Sequence, residues 1–269
     1  MRTGPCRGKL ALTLATLLAI NMLGGLADAQ DGGYRIIHDF GQRAHDGWDP
    51  IGLPAVAKNG DLYGVTFGGG LYNWGTVFKL TAPQSQSGIW AETKLHDFPS
   101  LNQEFPTSLI IGQDGALYGA GGGPSTRGFI FRMTPPSARN RQWIYDVLYT
   151  LKSRYDGSAI QGNLVFDAQG NLYGATELGG DAYCEQVGCG NVFELQRPTR
   201  RGGKWHFKVL HTFTGKPDGA EPFAGVTFDD KHNLYGTTFR GGRERLGRCL
   251  SPEPANGWAP MERVRDLLL

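Results

Sequence analysis

Histidine residues recur at one fixed place in a repeated tripeptide of this 269-residue chain. His38, His96 and His211 begin the tripeptides HDF, HDF and HTF, and Tyr149 begins YTL at the matching place. An imidazole can bind a metal ion or act as a general base. A repeated position that also accepts tyrosine is more often structural, so we predict no metal site and no cofactor at these residues.

Closely spaced carboxylates are a second candidate for metal chemistry. Asp46 and Asp49 stand three residues apart, as do Asp218 and Glu221, and each set begins with an Asp-Gly pair. Nothing near them matches the calcium loop of EF-hand proteins, and the third copy has Ala159 in place of the second carboxylate. Because Asp-Gly is typical of tight turns, we interpret these residues as turns.

The sequence contains no G-x-S-x-G, H-E-x-x-H or phosphate-loop motif. An enzyme built from repeats needs a catalytic residue in one copy alone, and the candidates are Glu177, Asp181 and Glu185 of the third copy. No motif supports them. We therefore predict no catalytic residue and a protein that is not an enzyme.

Cys184 and Cys189 stand close together in the string YCEQVGCG. In an oxidising compartment, such a pair around a glycine-containing loop predicts a disulfide, with free thiols as the second interpretation. Zinc would need two further ligands, and no histidine stands nearby in the sequence. Cys249 has no obvious partner.

Residues 1–29 have the pattern of a cleaved signal peptide: a positive start, an apolar run at 10–26 and a small-residue cleavage site before Gln30. The alternative is a membrane anchor, but the apolar run is short for a span. No second apolar run follows, so we predict a secreted chain, 30–269, without a membrane span. The net charge of +2 is too small to indicate nucleic-acid binding.

The phrase Leu-Tyr-Gly occurs four times, and its spacing indicates repeated structural units. The leucines are Leu62, Leu117, Leu172 and Leu234, at intervals of 55, 55 and 62 residues. The tyrosines and glycines that follow are Tyr63, Gly64, Tyr118, Gly119, Tyr173, Gly174, Tyr235 and Gly236. Short alternating runs between turn residues surround each copy and predict four strands in each unit.

Four-stranded units at this period predict an all-β fold, a β-propeller of about four blades that is either closed or open. A β-solenoid has much shorter coils, and a sandwich gives no reason for the repetition. We expect Asn171 and Asn233 to adopt a left-handed backbone, and the glycine of each phrase to admit a second backbone. The predicted units within the single domain 30–269 are approximately 34–98, 99–151, 152–213 and 214–269.

Ring closure is predicted from the number of outer strands. We expect residues 34–40 to form the outer strand of the fourth unit, which leaves 258–269 loosely attached. The alternative is an open array, in which 34–40 pair with nothing in the fourth unit. The arginine-rich stretch 240–248 is either a basic patch or a solvated loop, and we favour the loop.

The strings NLYGTTFRGG, GTVFKLT and DGAEPFAGVTFDD resemble the GloVer-type tandem repeats of extracellular bacterial choice-of-anchor proteins. The resemblance covers residues 34 to about 242 and implies an exported repeat protein without an assigned activity. The sequence departs from the repeat after Gly242 and shows no anchor signal, so we favour secretion, with the periplasm and the cell surface as alternatives. We predict a non-catalytic module that binds an extracellular protein or glycan. The alternative is a secreted propeller enzyme, a hydrolase or lyase acting on polysaccharide.

Overall fold

The computed structural model describes residues 35–84, 89–99, 105–123, 127–180, 184, 187–200, 202–215, 218–241 and 248–249. Contacts between Cα atoms separate Met1–Ile36 from one compact unit, Ile37–Leu269. The predicted signal peptide and the stretch 258–269 lie outside the described residues. Across the described part of the chain, no helix is long and apolar enough to cross a membrane.

Regular structure in the described residues is β-strand, arranged in four antiparallel sheets. The first sheet contains β1 (Gly47–Val56), β2 (Leu62–Gly69), β3 (Thr76–Thr81) and β4 (Ala91–Asp97). The second contains β5 (Pro106–Ile111), β6 (Leu117–Gly121), β7 (Phe129–Thr134) and β8 (Ile144–Thr150). The third contains β9 (Ser158–Phe166), β10 (Leu172–Leu178), β11 (Asn191–Gln196) and β12 (His206–Thr212). The fourth contains β13 (Val226–Phe228), β14 (Leu234–Thr238) and β15 (Arg248–Cys249).

Each sheet is a meander whose strands pair in chain order. The first strand of each sheet contacts the first strand of the next, from β1 to β5, β9 and β13. A parallel bridge between Asn163 and Gly225 joins the third sheet to the fourth. Antiparallel sheets of this kind, with neighbouring first strands, are the blades of a β-propeller. The predicted all-β, propeller-like architecture is confirmed.

The N-terminal segment does not complete the fourth sheet. None of residues 35–40 lies in a strand. The segment packs on the first sheet instead, where the rings of Phe40 and Phe78 have centroids 4.8 Å apart. His38 Nε2 lies 3.2 Å from Glu92 Oε2 of β4. The predicted closure by residues 34–40 is therefore wrong. The side chains of Phe40 and His38 contact β3 and β4 of the first sheet instead.

The glycine of the repeated phrase makes room for a phenylalanine ring on the third strand of its sheet. In the strand register, the glycine–phenylalanine partners are Gly64 and Phe78, Gly119 and Phe131, and Gly174 and Phe193. A Cβ atom added to these glycines would approach the facing ring to 2.4, 2.3 and 2.7 Å, respectively. The nearest neighbour is thus an aromatic ring rather than the second backbone that we expected.

The asparagines before the phrase act through their side chains and not through a left-handed backbone. The positive φ angles belong to the preceding residues, Gly170 at 85° and His232 at 63°. Asn171 and Asn233 instead donate side-chain hydrogen bonds to an aspartate four residues earlier, both at 2.8 Å. This part of the prediction is wrong, because the residue one place earlier adopts the left-handed conformation.

The hydrophobic core lies between neighbouring sheets. Phe98, Leu151 and Phe213, the last residues of HDF, YTL and HTF, are each at most 1% exposed. Phe98 packs against Phe129 and Phe131 of the second sheet, with ring centroids 5.7 and 5.4 Å apart. The end of each outer strand therefore anchors its sheet to the next one.

Candidate functional site

The tyrosine of the repeated phrase binds a carboxylate at the turn before its strand. The Tyr118 hydroxyl donates to Asp114 Oδ2 at 2.9 Å, and Tyr173 and Tyr235 donate to Asp167 and Asp229. Burial opposes ionisation of Asp114, but hydrogen bonds from the Ala116 N–H, Tyr118 and Arg132 outweigh it and lower its pKa. The turn between the first two strands thus presents a fixed negative charge.

A cleft of about 1350 Å³ opens between the second and third sheets. Most of its lining comes from β8 and from the loop between β11 and β12. The turns that follow β5 and β9 contribute Asp114 and Asp167. The cleft is therefore built from two sheets, and its residues are far apart in the sequence.

The cleft carries an excess of positive charge. Among the residues that the structure describes, six basic side chains line it against three acidic ones: Arg127, Arg132, Lys152, Arg197, Arg200 and Lys204, with Asp114, Asp146 and Asp167. Arg132 Nη2 pairs with Asp114 Oδ2 at 2.8 Å. Of the other bases, Arg127, Arg200 and Lys204 form no ion pair with any residue that the structure describes.

Aromatic side chains line the interior of the same cleft. The Tyr118 ring meets the edge of Phe166 at 5.0 Å and that of Trp205 at 6.3 Å, measured between centroids. Burial, followed by the hydrogen bond to Asp114, raises the pKa of Tyr118 to about 12, so its hydroxyl is neutral at physiological pH. Aromatic side chains next to an excess of arginine and lysine side chains suit a ligand that has both apolar faces and negatively charged groups.

Two of the recurring histidines, His96 and His211, lie near the ends of β4 and β12, outside this cleft. His211 Nε2 lies 3.1 Å from Asp218 Oδ2. His96 stacks on Tyr145, with ring centroids 4.0 Å apart, and its Nε2 forms no hydrogen bond within the described residues. Burial lowers the pKa of His96 to about 4. Both side chains lie at a junction between sheets, as a structural role requires.

The Asp-Gly carboxylates accept backbone hydrogen bonds at turns. Asp46 accepts from the N–H groups of Gly41, Gln42 and Gly47, at 2.9, 3.2 and 2.9 Å. Asp218 accepts from the Thr214 N–H at 3.1 Å. These contacts are those of the predicted turns.

The cysteine pair forms the predicted disulfide. Cys184 and Cys189 are bonded, their Cα atoms lie 5.0 Å apart, and both lie in the loop between β10 and β11. Glu177, at the end of β10, accepts a hydrogen bond from Gln161 at 3.2 Å, and burial raises its pKa. Glu177 does not line the cleft, and Asp181 and Glu185 lie outside the described residues.

The basic cleft does not follow from the repeat pattern of the sequence. Its basic residues Arg127, Arg200 and Lys204 stand at positions that the repeat does not share. One local signal was available in the string RPTRRGGKW at 197–205, where four basic residues precede a tryptophan. Its counterparts on β8 and at the turns could be placed beside it only by the packing of two sheets.

The fold and the cleft define an all-β repeat protein of the propeller class. The chain belongs to the Gloeobacter/Verrucomicrobia repeat family, whose model matches residues 26–250. The expectation that the chain belongs to a repeat family is confirmed. The link to choice-of-anchor proteins stays a prediction. No curated protein matches the chain.

Three solved structures resemble the chain at low identity. An aldose sugar dehydrogenase from Streptomyces coelicolor, in its PQQ-bound form, is 16% identical over 81% of this chain and 67% of its own, with a TM-score of 0.43. A gluconolactonase from Xanthomonas campestris is 18% identical over 74% and 61%, with a TM-score of 0.45, so the chain spans less than two thirds of it. An exo-1,5-alpha-L-arabinanase from a bovine ruminal metagenomic library is 15% identical over 76% and 75%, with a TM-score of 0.37. These values are too low to assign any of the three activities to this chain.

Proposed function

We propose that the protein is a non-catalytic binding module whose cleft between the second and third sheets takes an anionic glycan. The observation that carries this proposal is the excess of six basic over three acidic side chains around an aromatic interior. Arginine and lysine pair with carboxylate or sulfate groups. The apolar face of a sugar ring packs on aromatic side chains such as Trp205.

The placement of the cleft supports an elongated ligand. Its lining runs from the β5–β6 turn and the β11–β12 loop along β8 to Arg127, which stands before β7. Five consecutive residues of β8, 146–150, therefore line the cleft, which suits several residues of a polymer better than a single small molecule. The disulfide fits an oxidising compartment, where such polymers occur, and we place the binding event outside the cytoplasm.

The test is a charge reversal on the loop between β11 and β12. Arg200→Glu combined with Lys204→Glu changes two exposed residues that line the cleft and form no ion pair among the described residues. The matched control, Arg139→Glu with Arg141→Glu, changes two exposed arginines of the corresponding loop between β7 and β8, which do not line the cleft.

Binding to a polyuronate, a sulfated polysaccharide and neutral dextran is measured by calorimetry at low and high salt. The proposal predicts binding to an anionic polymer, weakened by salt, lost in the cleft variant and kept in the control variant. Binding to dextran alone, or equal binding by both variants, would overturn it. Reducing ends released during incubation would instead support the alternative of a secreted polysaccharide-degrading enzyme.

A further inference from the structure

The junction before the first sheet differs from the two junctions that follow it. At the second and third sheets, the residue two places after the leading tryptophan is aromatic. Tyr145 stacks on His96 at 4.0 Å, and Phe207 stacks on Tyr149 at 4.8 Å, measured between ring centroids. At the first sheet the equivalent residue is Glu92, which places a carboxylate where the other junctions place a ring.

This replacement brings three possible metal ligands together. One ligand atom each from His38, Asp46 and Glu92 lies within 4.8 Å of the other two. The side chains of His38 and Glu92 are 16% and 9% exposed, so the cluster is largely shielded from solvent. Asp46 is oriented by the three backbone N–H groups that hold its turn, which is how proteins fix a ligating carboxylate.

One ligand atom of the cluster, His38 Nε2, lacks a hydrogen bond among the described residues. This nitrogen is buried, and Glu92 Oε2 lies 3.2 Å from it, within ion-pair distance. One carboxylate oxygen of Glu92 and one of Asp46 lie within 4.8 Å of each other. Two neighbouring carboxylates repel each other unless a proton or a cation lies between them.

We propose that His38, Asp46 and Glu92 bind a divalent transition-metal ion, for which Zn²⁺ is the probe. One imidazole and two carboxylates are a ligand set that zinc accepts, with water in the remaining position. Zinc–ligand bonds of about 2.0–2.2 Å require ligand atoms some 3.3–3.6 Å apart. Ligand atoms that lie up to 4.8 Å apart must therefore close by at most about 1.5 Å. The ion ties the segment around His38 and the turn of Asp46 to β4. This site departs from the sequence-based expectation of no metal.

The experiment measures Zn²⁺ binding by calorimetry and thermal unfolding on the full, tag-free chain at neutral pH. We expect one ion per chain and a higher melting temperature when zinc is added. Glu92→Gln, which keeps the shape of the side chain, weakens binding by at least about tenfold. Glu92→Tyr installs the residue of the second sheet and abolishes binding while it keeps a ring-packing partner for His38.

Two control variants separate this site from adventitious binding. His206→Gln removes an exposed histidine of β12, and Asp218→Asn changes a junction that holds one histidine and one carboxylate. Both should bind zinc like the unmodified chain. The proposal fails if the unmodified chain shows no saturable binding, or if Glu92→Gln and Glu92→Tyr bind as tightly as it does. These outcomes are independent of the glycan test, because Glu92 does not line the cleft.

Discussion

His96 near the end of β4 and His211 near the end of β12 occupy the same repeat position, but they make different contacts. At the end of β12, His211 faces Asp218, and that carboxylate also accepts the Thr214 N–H. At the end of β4, the string SLNQEFPTS replaces the Asp-Gly pair, and the His96 ring stacks on Tyr145. The repeat therefore fixes where a side chain lies, whereas the residues that the next unit supplies determine its chemistry.

The largest effect is expected at the buried aromatic anchors of these two junctions. Phe98→Ala should lower the free energy of unfolding by about 3–5 kcal/mol, because it removes a buried ring and leaves a cavity. Phe98 lies within 6 Å of the rings of Phe129, Phe131 and Tyr145, measured between centroids. Phe213→Ala should cost about 1 kcal/mol less, since among the described residues its ring contacts one other ring, that of His211.

Urea unfolding monitored by circular dichroism checks both anchor variants. Ile89→Ala is the control, because Ile89 is 87% exposed and its loss should change the free energy by less than about 0.5 kcal/mol. A Phe98→Ala cost no larger than that of the control would contradict the anchoring role.

The next largest effect is a loss of stability at low pH that is due to His96, whose Nε2, unlike that of His211, forms no hydrogen bond within the described residues. Burial lowers the pKa of His96 to about 4, whereas an unfolded histidine titrates near ~6.5. Because the unfolded chain binds the proton more readily, stability is retained above the unfolded pKa and lost as pH falls from about 6.5 to 4. The loss due to His96 should be about 2 kcal/mol after allowance for solvent screening.

The measurement is the difference between the unmodified chain and His96→Phe in urea unfolding at pH 7.5 and pH 4.5. Phenylalanine keeps the stacking ring and removes the titrating nitrogen, so the variant should lose less stability on acidification. If the free energy of unfolding depends on pH in the same way in both proteins, folding does not lower the pKa of His96 and the prediction is wrong.

The smallest effect is expected at the paired junction. Asp218→Ala removes the partner of His211 and the acceptor of the Thr214 N–H, and should cost about 1–2 kcal/mol. Asp230→Ala, at an exposed position of the β13–β14 turn, serves as the control and should be nearly neutral. Equal costs in the two variants would mean that solvent replaces the Asp218 contacts without loss.

Local patterns were sufficient to predict the blades of the fold. Strand alternation and the Leu-Tyr-Gly spacing place β2, β6, β10 and β14 at the second position of their sheets. The disulfide also followed from sequence proximity. These features depend on residues that are close in the chain, where periodicity and turn chemistry are informative.

The features that sequence could not predict depend on contacts between sheets. The cleft combines Arg127 and Lys152 of the second sheet with Arg200 and Lys204 of the third, and no local pattern pairs them. The prediction that residues 34–40 form a strand of the fourth unit was wrong for the same reason, because the Phe40 ring packs on Phe78 of the first sheet. Packing between distant segments decides both outcomes.

The glycine–phenylalanine pairing has a consequence for how this protein can change during evolution. The glycine lies on the second strand and the phenylalanine on the third, so their contact does not depend on the length of the loop between these strands. That loop is 70–75 in the first sheet, 122–128 in the second and 179–190 in the third. Longer loops cost little additional closure entropy, and in the third sheet the Cys184–Cys189 bond restrains the longest of the three. Insertions in this loop should therefore leave the glycine–phenylalanine contact inside each sheet intact.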